Sequence, residues 1–313
     1  MQVTKSTKSM ILKSVLASAL LVCVPLAQAV PPYFKWAKND CWLEVSMQLL
    51  YNILELVDYV LKNEASIVKQ LDSDRKMQKL VPAFTRLVRQ IQTTKQPDDG
   101  WSLDEAHTAY GWDNRPGRPF FDEFMGCAGV YEQWKKLQVV LMWDDEKMKY
   151  DLAAGQAGLM IPDLKDSLVQ QLRIVEIKKL APYFFIELAG RVPGDAMADI
   201  PLRLEMGGYA FELITVVING GAYGTSHYWT YVKDQREKGH PWYRCFGLNN
   251  KPKKVDDKKM DRELNDLWND KDTEPLFLLY KLVKLPLETP LERALKNFSD
   301  SLDALRGQLV PKP

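Results

Sequence analysis

The feature that most constrains this chain is a change of hydrophobic period near Pro182. Before it, apolar residues recur at helical spacing. Leu43, Met47, Leu50, Leu54, Val57 and Leu61 share one face of a predicted helix over Cys41 to Lys62, because side chains three and four apart stack on one side of a 3.6-residue turn. Asn39 or Asp40 can cap its first turn. Ser73 to Thr93 predicts a second helix with a basic face, and Phe121 to Leu137 a third. After Pro182, aromatic and β-branched runs alternate with turns: Tyr183–Leu188, Ala210–Ile218, Tyr228–Lys233, Trp242–Phe246 and Leu276–Val283. Such runs read as strands. The segment from Gln96 to Gly100 predicts a turn, Gly111 to Pro119 a loop, and the charged stretch Lys251 to Lys271 a surface excursion. Glu288 to Leu309 predicts a closing helix. Helices followed by strands imply an α+β fold, with a helical lobe over about residues 30–180 and an antiparallel β lobe over about 181–285.

Residues 1–29 have the form of a signal peptide. Lys5, Lys8 and Lys13 precede a mostly apolar run, Ile11 to Leu26, and Ala27-Gln28-Ala29 fits a cleavage site. The run is short for a bilayer span. The expectation is a secreted chain starting at Val30, with no stable membrane insertion after cleavage. Its charge is near balance, 39 basic against 41 acidic residues once the three leader lysines are removed. No general basic bias points to nucleic acid. Cys41, Cys127 and Cys245 remain. An odd, small number argues against a disulfide scaffold and leaves at least one thiol free or paired with another chain. Three scattered histidines and cysteines have no ligand spacing, so neither metal nor cofactor is expected.

Two segments 186 residues apart carry the chemistry. Cys41 opens the first predicted helix, where the positive end of the helix dipole favours thiolate. His227 enters a strand after the glycine-rich run Gly220 to Gly224. Rigid strand backbone can hold an imidazole while a glycine loop admits a substrate chain. The pair suggests a papain-like thiol hydrolase. His240, in Gly239-His240-Pro241, reads as a surface turn, and His107 as a solvated loop residue. Cys127 and Cys245 read as small apolar core residues.

The surroundings of both groups resemble the two boxes of the ubiquitin-specific proteases. Asn39, Cys41, Trp42, Leu43, Gln48 and Leu50 match the cysteine box in register, and Phe211 to Ile218 with His227-Tyr228-Trp229-Thr230-Tyr231 match the histidine box. Tyr183 to Leu188, Trp242-Tyr243 and Pro275 to Tyr280 resemble its other strands. The likeness runs from about Asn39 to Tyr280. It implies a papain-like fold with a thumb and a palm lobe. It also implies Cys41 as nucleophile, His227 as base and cleavage after the C-terminal glycine of ubiquitin or a ubiquitin-like protein. The orienter of the base sits just after an aromatic residue on the next strand. Strict placement after Phe246 gives Gly247, which has no side chain; letting Leu248 take the aromatic place gives Asn249, with Asn250 behind it. The family's oxyanion asparagine is replaced by Trp36, leaving Asn39 or the Cys41 backbone N–H. Glu123 falls where the family has an acid that meets the modifier's basic tail, although Phe120 replaces the aspartate usually found beside it. Ser226 stands where a glycine usually precedes the histidine, and the family's zinc-holding cysteine pairs are missing. These departures leave two further readings open: a binder of ubiquitin-like folds without turnover, and a secreted scaffold.

Overall fold

In the computed structural model, residues 31–35, 41–111, 117–143, 159–161, 175–188, 200–220, 227–248, 250–270 and 273–284 are described. The expected leader 1–29, Trp36, Asn39, Asp40, Ser226, Asn249 and the expected helix within 286–313 lie outside them. The helices are α1 (Cys41–Asn52), α2 (Leu54–Gln70), α3 (Arg75–Thr93), α4 (Asp104–Tyr110), α5 (Gly117–Gly126), α6 (Val130–Leu137) and α7 (Asp257–Asn269). The strands are β1 (Val140–Trp143), β2 (Leu159–Ile161), β3 (Val175–Lys179), β4 (Tyr183–Leu188), β5 (Arg203–Met206), β6 (Tyr209–Gly220), β7 (His227–Lys233), β8 (Trp242–Cys245), β9 (Lys253–Val255) and β10 (Thr273–Lys284). None of the described helices is long and apolar enough to cross a membrane.

Each early helix has a local cause. Asp74 caps α3 by accepting from the Met77 N–H at 3.0 Å, satisfying one of the donors a helix start leaves orphaned. Met77, Leu80, Val81, Phe84, Leu87, Val88 and Ile91 then bury one stripe of it. The expected single helix from Cys41 to Lys62 is broken at Ile53, whose φ of −89° and ψ of 80° are not helical. The apolar pattern runs through the break, so periodicity alone missed it. A further correction falls on Gly111 to Pro119: helix α5 already begins at Gly117.

Helix α1 is buried on every side, as an element enclosed between other layers must be. Its polar residues therefore need internal partners. Ser46 Oγ donates to the Trp42 carbonyl at 2.8 Å. The Gln48 amide reaches the Pro32 carbonyl. Asn52 Nδ2 donates to Thr215 Oγ1 at 2.8 Å and to the Ile214 carbonyl at 3.1 Å. Those last two bonds fasten the end of α1 to β6. Arg236 donates to the Tyr51 carbonyl and stacks on its ring at 3.7 Å, which favours the negative end of α1.

The main sheet has the order β2-β4-β10-β6-β7-β8-β9, with β5 alongside β6. All its pairs are antiparallel except β2 with β4, a parallel exception to the expected antiparallel lobe. A separate pair, β1 with β3, lies in the stretch expected to be helical. Strand alternation divides the core. Tyr183 and Phe185 face the helices with Val217, Phe277 and Leu279, while Phe184 and Ile186 face the other way with Val216, Leu278 and Tyr280. Period two sends neighbours to opposite faces, and both faces are covered. The outer cover includes Met260 and Leu264 of α7, so the charged stretch Lys251 to Lys271 is not a mere surface excursion. The architecture is α+β and papain-like: a helical lobe laid on a largely antiparallel sheet, with α1 against β7 between them.

Candidate active site

Cys41 is the first residue of α1 and is 8% exposed. The helix N-terminus around it presents backbone N–H groups without intrahelical partners, and these with the helix dipole favour a thiolate or an oxyanion. His227 is the first residue of β7, paired with Gly220 at the end of β6. Helix α1 packs against β7, and its last residue, Asn52, bonds to Thr215, the β6 partner of Val232 near the end of β7.

The imidazole is fixed on three sides. Its Nε2 lies 2.7 Å from the Phe246 carbonyl. A carbonyl only accepts, so Nε2 must carry the proton and the Nδ1 lone pair is left for base chemistry. Trp229 stacks on the ring at 5.9 Å between centroids and 23° between planes. Phe246 packs at 4.7 Å and 57°. Burial depresses the His227 pKa below 6.5, and the bond to the Phe246 carbonyl opposes this more weakly. A neutral imidazole at neutral pH follows.

Two glycines make the space. A Cβ on Gly220 would come closer than 3.0 Å to Cη2 and Cζ3 of Trp229. A Cβ on Gly247 would come closer than 3.0 Å to Glu44 Oε2, and would lie 3.8 Å from His227 Cε1. Gly247 also has φ +71°, a region that glycine adopts without a steric penalty. Glu44, one turn along α1 from Cys41, is only 5% exposed. Sequence reasoning passed over it, although Leu43 just before it and Gln48 one turn after it were matched to the cysteine box.

The other expected residues divide clearly. Asn39 and Asn249 lie outside the described residues. Asn250 turns its amide to the Gly247 and Leu248 carbonyls, at 3.1 and 3.4 Å. Glu123 stands on α5, where its carboxylate accepts from Lys76 at 2.6 Å; Lys76 also lies 4.2 Å above the Tyr110 ring. Cys127 and Cys245 are buried free thiols. Burial pushes each pKa up to about 12, which leaves them protonated and unreactive. His240 sits in a turn with φ 47°, its Nδ1 3.2 Å from the Asp234 carbonyl. His107 is a correction: it is not solvated but 3% exposed on α4, edge-on to Trp42 at 6.2 Å. Two acids that follow His227 in the chain are engaged by backbone N–H groups: Asp234 accepts from Arg236 at 2.8 Å, and Asp256 caps α7 by accepting from Lys258 at 2.9 Å. Among the described residues no group of three His, Cys, Asp or Glu could hold a metal ion.

No protein-family model matches the sequence, and no curated protein matches it. Solved structures do share the fold. The structure of the SAGA Ubp8/Sgf11/Sus1/Sgf73 DUB module bound to ubiquitin aldehyde contains a chain 10% identical, with a TM-score of 0.57. The match covers 88% of the present chain and 76% of that one. An essential yeast splicing factor matches at 12% identity and a TM-score of 0.55, over 91% and 81% of the two chains. One fold thus appears in a DUB module and in a splicing factor, so what this chain does has to be argued from its own site.

Proposed function

We propose that this protein is a thiol hydrolase that cuts the bond after the C-terminal glycine of ubiquitin or a ubiquitin-like protein. The observation that carries this is Cys41 at the head of α1, packed on the strand headed by His227, whose Nε2 is held by the Phe246 carbonyl. The box resemblance and the shared fold with a DUB module bound to ubiquitin aldehyde support the choice of substrate.

In the proposed reaction, His227 Nδ1 takes the Cys41 proton as Sγ bonds to the glycine carbonyl carbon. The carbonyl electron pair moves to oxygen, where the Cys41 N–H, and by the family resemblance Asn39, would meet it. Collapse expels the amine, which takes the proton back from the imidazolium. Water then gives a proton to Nδ1 and attacks the thioester. The C–S bond breaks, and the thiolate is reprotonated. Glu123 would meet the modifier's basic tail by exchanging Lys76 for it, and export through residues 1–29 would place the activity outside the producing cell.

The test is a ubiquitin with a thiol-reactive C-terminus. Wild type is expected to label once. Cys41→Ala should abolish labelling, and Cys127→Ser and Cys245→Ser should keep it. Labelling of Cys41→Ala would end the nucleophile assignment. A second reading is favoured by the missing side chain at Gly247 and by the Lys76–Glu123 ion pair: a binder without turnover, which would capture the probe reversibly.

A further inference from the structure

We propose that Glu44 is a positioning residue for His227, supplying from the nucleophile's own helix the carboxylate that a papain-like site otherwise takes from the strand beside the base. The inference rests on the hydrolase reading for its catalytic consequence, but its contact geometry stands apart from it.

The geometry converges on one point. A side chain at position 247 would begin where Glu44 Oε2 already packs, and that same point lies 3.8 Å from His227 Cε1. The carboxylate oxygen and the imidazole edge therefore lie within about 6 Å of each other, a range over which a charge shifts a titration. Glu44 follows Cys41 by three positions, which puts both on one side of α1. Residue 247 is a glycine with positive φ. A larger residue there would either displace the carboxylate or be displaced by it. A cavity of about 10 Å³ beside them, bounded by Glu44, Gln48, Cys245, Gly247 and Asn250, is near the size of one water.

Among the described residues, few charged groups stand on the elements packed against His227. From α1, Glu44 reaches the same point beside Gly247 as the imidazole edge does. From β8, Cys245 is pushed up to about 12 and stays neutral, and Arg244 and Tyr243 lie farther along that strand. From β6, Glu212 pairs with Lys233 at 2.5 Å near the far end of the ladder. Glu44 is thus placed to favour the imidazolium that forms when Cys41 gives up its proton, while the Phe246 carbonyl fixes which nitrogen does the work. In a site shielded from water such a charge acts more strongly than at a surface.

The test pairs a titration with kinetics. With ¹³Cε1-labelled histidine, the His227 midpoint is followed by NMR in wild type and in Glu44→Gln, which keeps shape and loses charge. The midpoint should fall by about half a unit to one unit. On a fluorogenic ubiquitin amide, kcat should fall about tenfold with KM within about twofold, and the acid limb of kcat should move to lower pH. Gly247→Asp alone should be impaired by collision with Glu44. Glu44→Ala with Gly247→Asp should recover turnover relative to Glu44→Ala, since aspartate tolerates positive φ better than most residues. Should Glu44→Gln fold poorly, Gly247→Ala perturbs the same contact from the other side and should lower the midpoint likewise. An unchanged midpoint in a folded variant overturns the proposal. A wild type without turnover but with the shift in Glu44→Gln overturns the hydrolase reading and upholds the action of Glu44 on His227.

Discussion

Replacing Gly220 by alanine adds one methyl group at the place where β6 ends beneath the aromatic stack. Gly220 pairs with His227 across the ladder. The added Cβ would stand closer than 3.0 Å to the Trp229 ring, and an indole is a rigid plate that cannot yield at its tip alone. Trp229 leans on His227 at 5.9 Å and on Phe246 at 5.5 Å, so the strain passes to the base and to its anchor. Overpacking of this kind costs about 1–3 kcal/mol. For a domain of this size that corresponds to a fall in Tm of about 2–4 °C per kcal/mol. Misplacement of a reacting group by about 1 Å costs on the order of a hundredfold in rate.

The expected result is therefore a fall in kcat of about 10- to 100-fold on a fluorogenic ubiquitin amide, with KM within about twofold, and a calorimetric Tm lower by several degrees. Trp229→Phe in the Gly220→Ala background should restore part of the Tm, because the smaller ring relieves the collision. Wild-type Tm and kcat in Gly220→Ala would refute the claim that the stack holds His227.

Four further outcomes are expected. Because burial depresses the His227 pKa below 6.5, kcat/KM should be flat through neutrality and fall on an acid limb below pH 6.5. By linkage, the unfolded imidazole takes up its proton first. Urea midpoints of wild type should therefore fall more than those of His227→Gln as pH drops through 6.5, and equal falls would refute this. Asn52→Leu should lower stability by about 1–3 kcal/mol in urea unfolding, since it leaves the Thr215 hydroxyl and the Ile214 carbonyl without the bonds that dock α1 on β6. If residues 1–29 act as a leader, the exported protein should begin at Val30; intact mass showing them retained on a membrane fraction would replace export with anchoring.

The parts of the fold that could be read in advance are those where one segment carries its own signal. The strand runs from Tyr183 onward have period two, and the sheet buries both of their faces as the dense apolar composition suggests. Asp74 and the stripe from Met77 to Ile91 define α3 locally. Errors arose where partners at long range decide. Ile53 is as apolar as its neighbours, so nothing in the period marks the break between α1 and α2. Among the positions of helix α7 whose burial is described, Met260 and Leu264 are the fully buried ones in a charged run, too few to distinguish it from a solvated loop. His107 becomes a core residue only because α4 places it against Trp42.

The site follows the same division, and this bears on what its departures from the family mean. Cys41 and His227 stand out because the residues flanking each of them form a box. Gly247, read along the chain, is a lost side chain. Read in space, it is the opening into which a carboxylate from α1 is packed. Glycine at 247 and the acid at 44 fit each other in space, since a Cβ at 247 would collide with the carboxylate. That contact can be examined in a double-mutant cycle between residues that no sequence window would bring together.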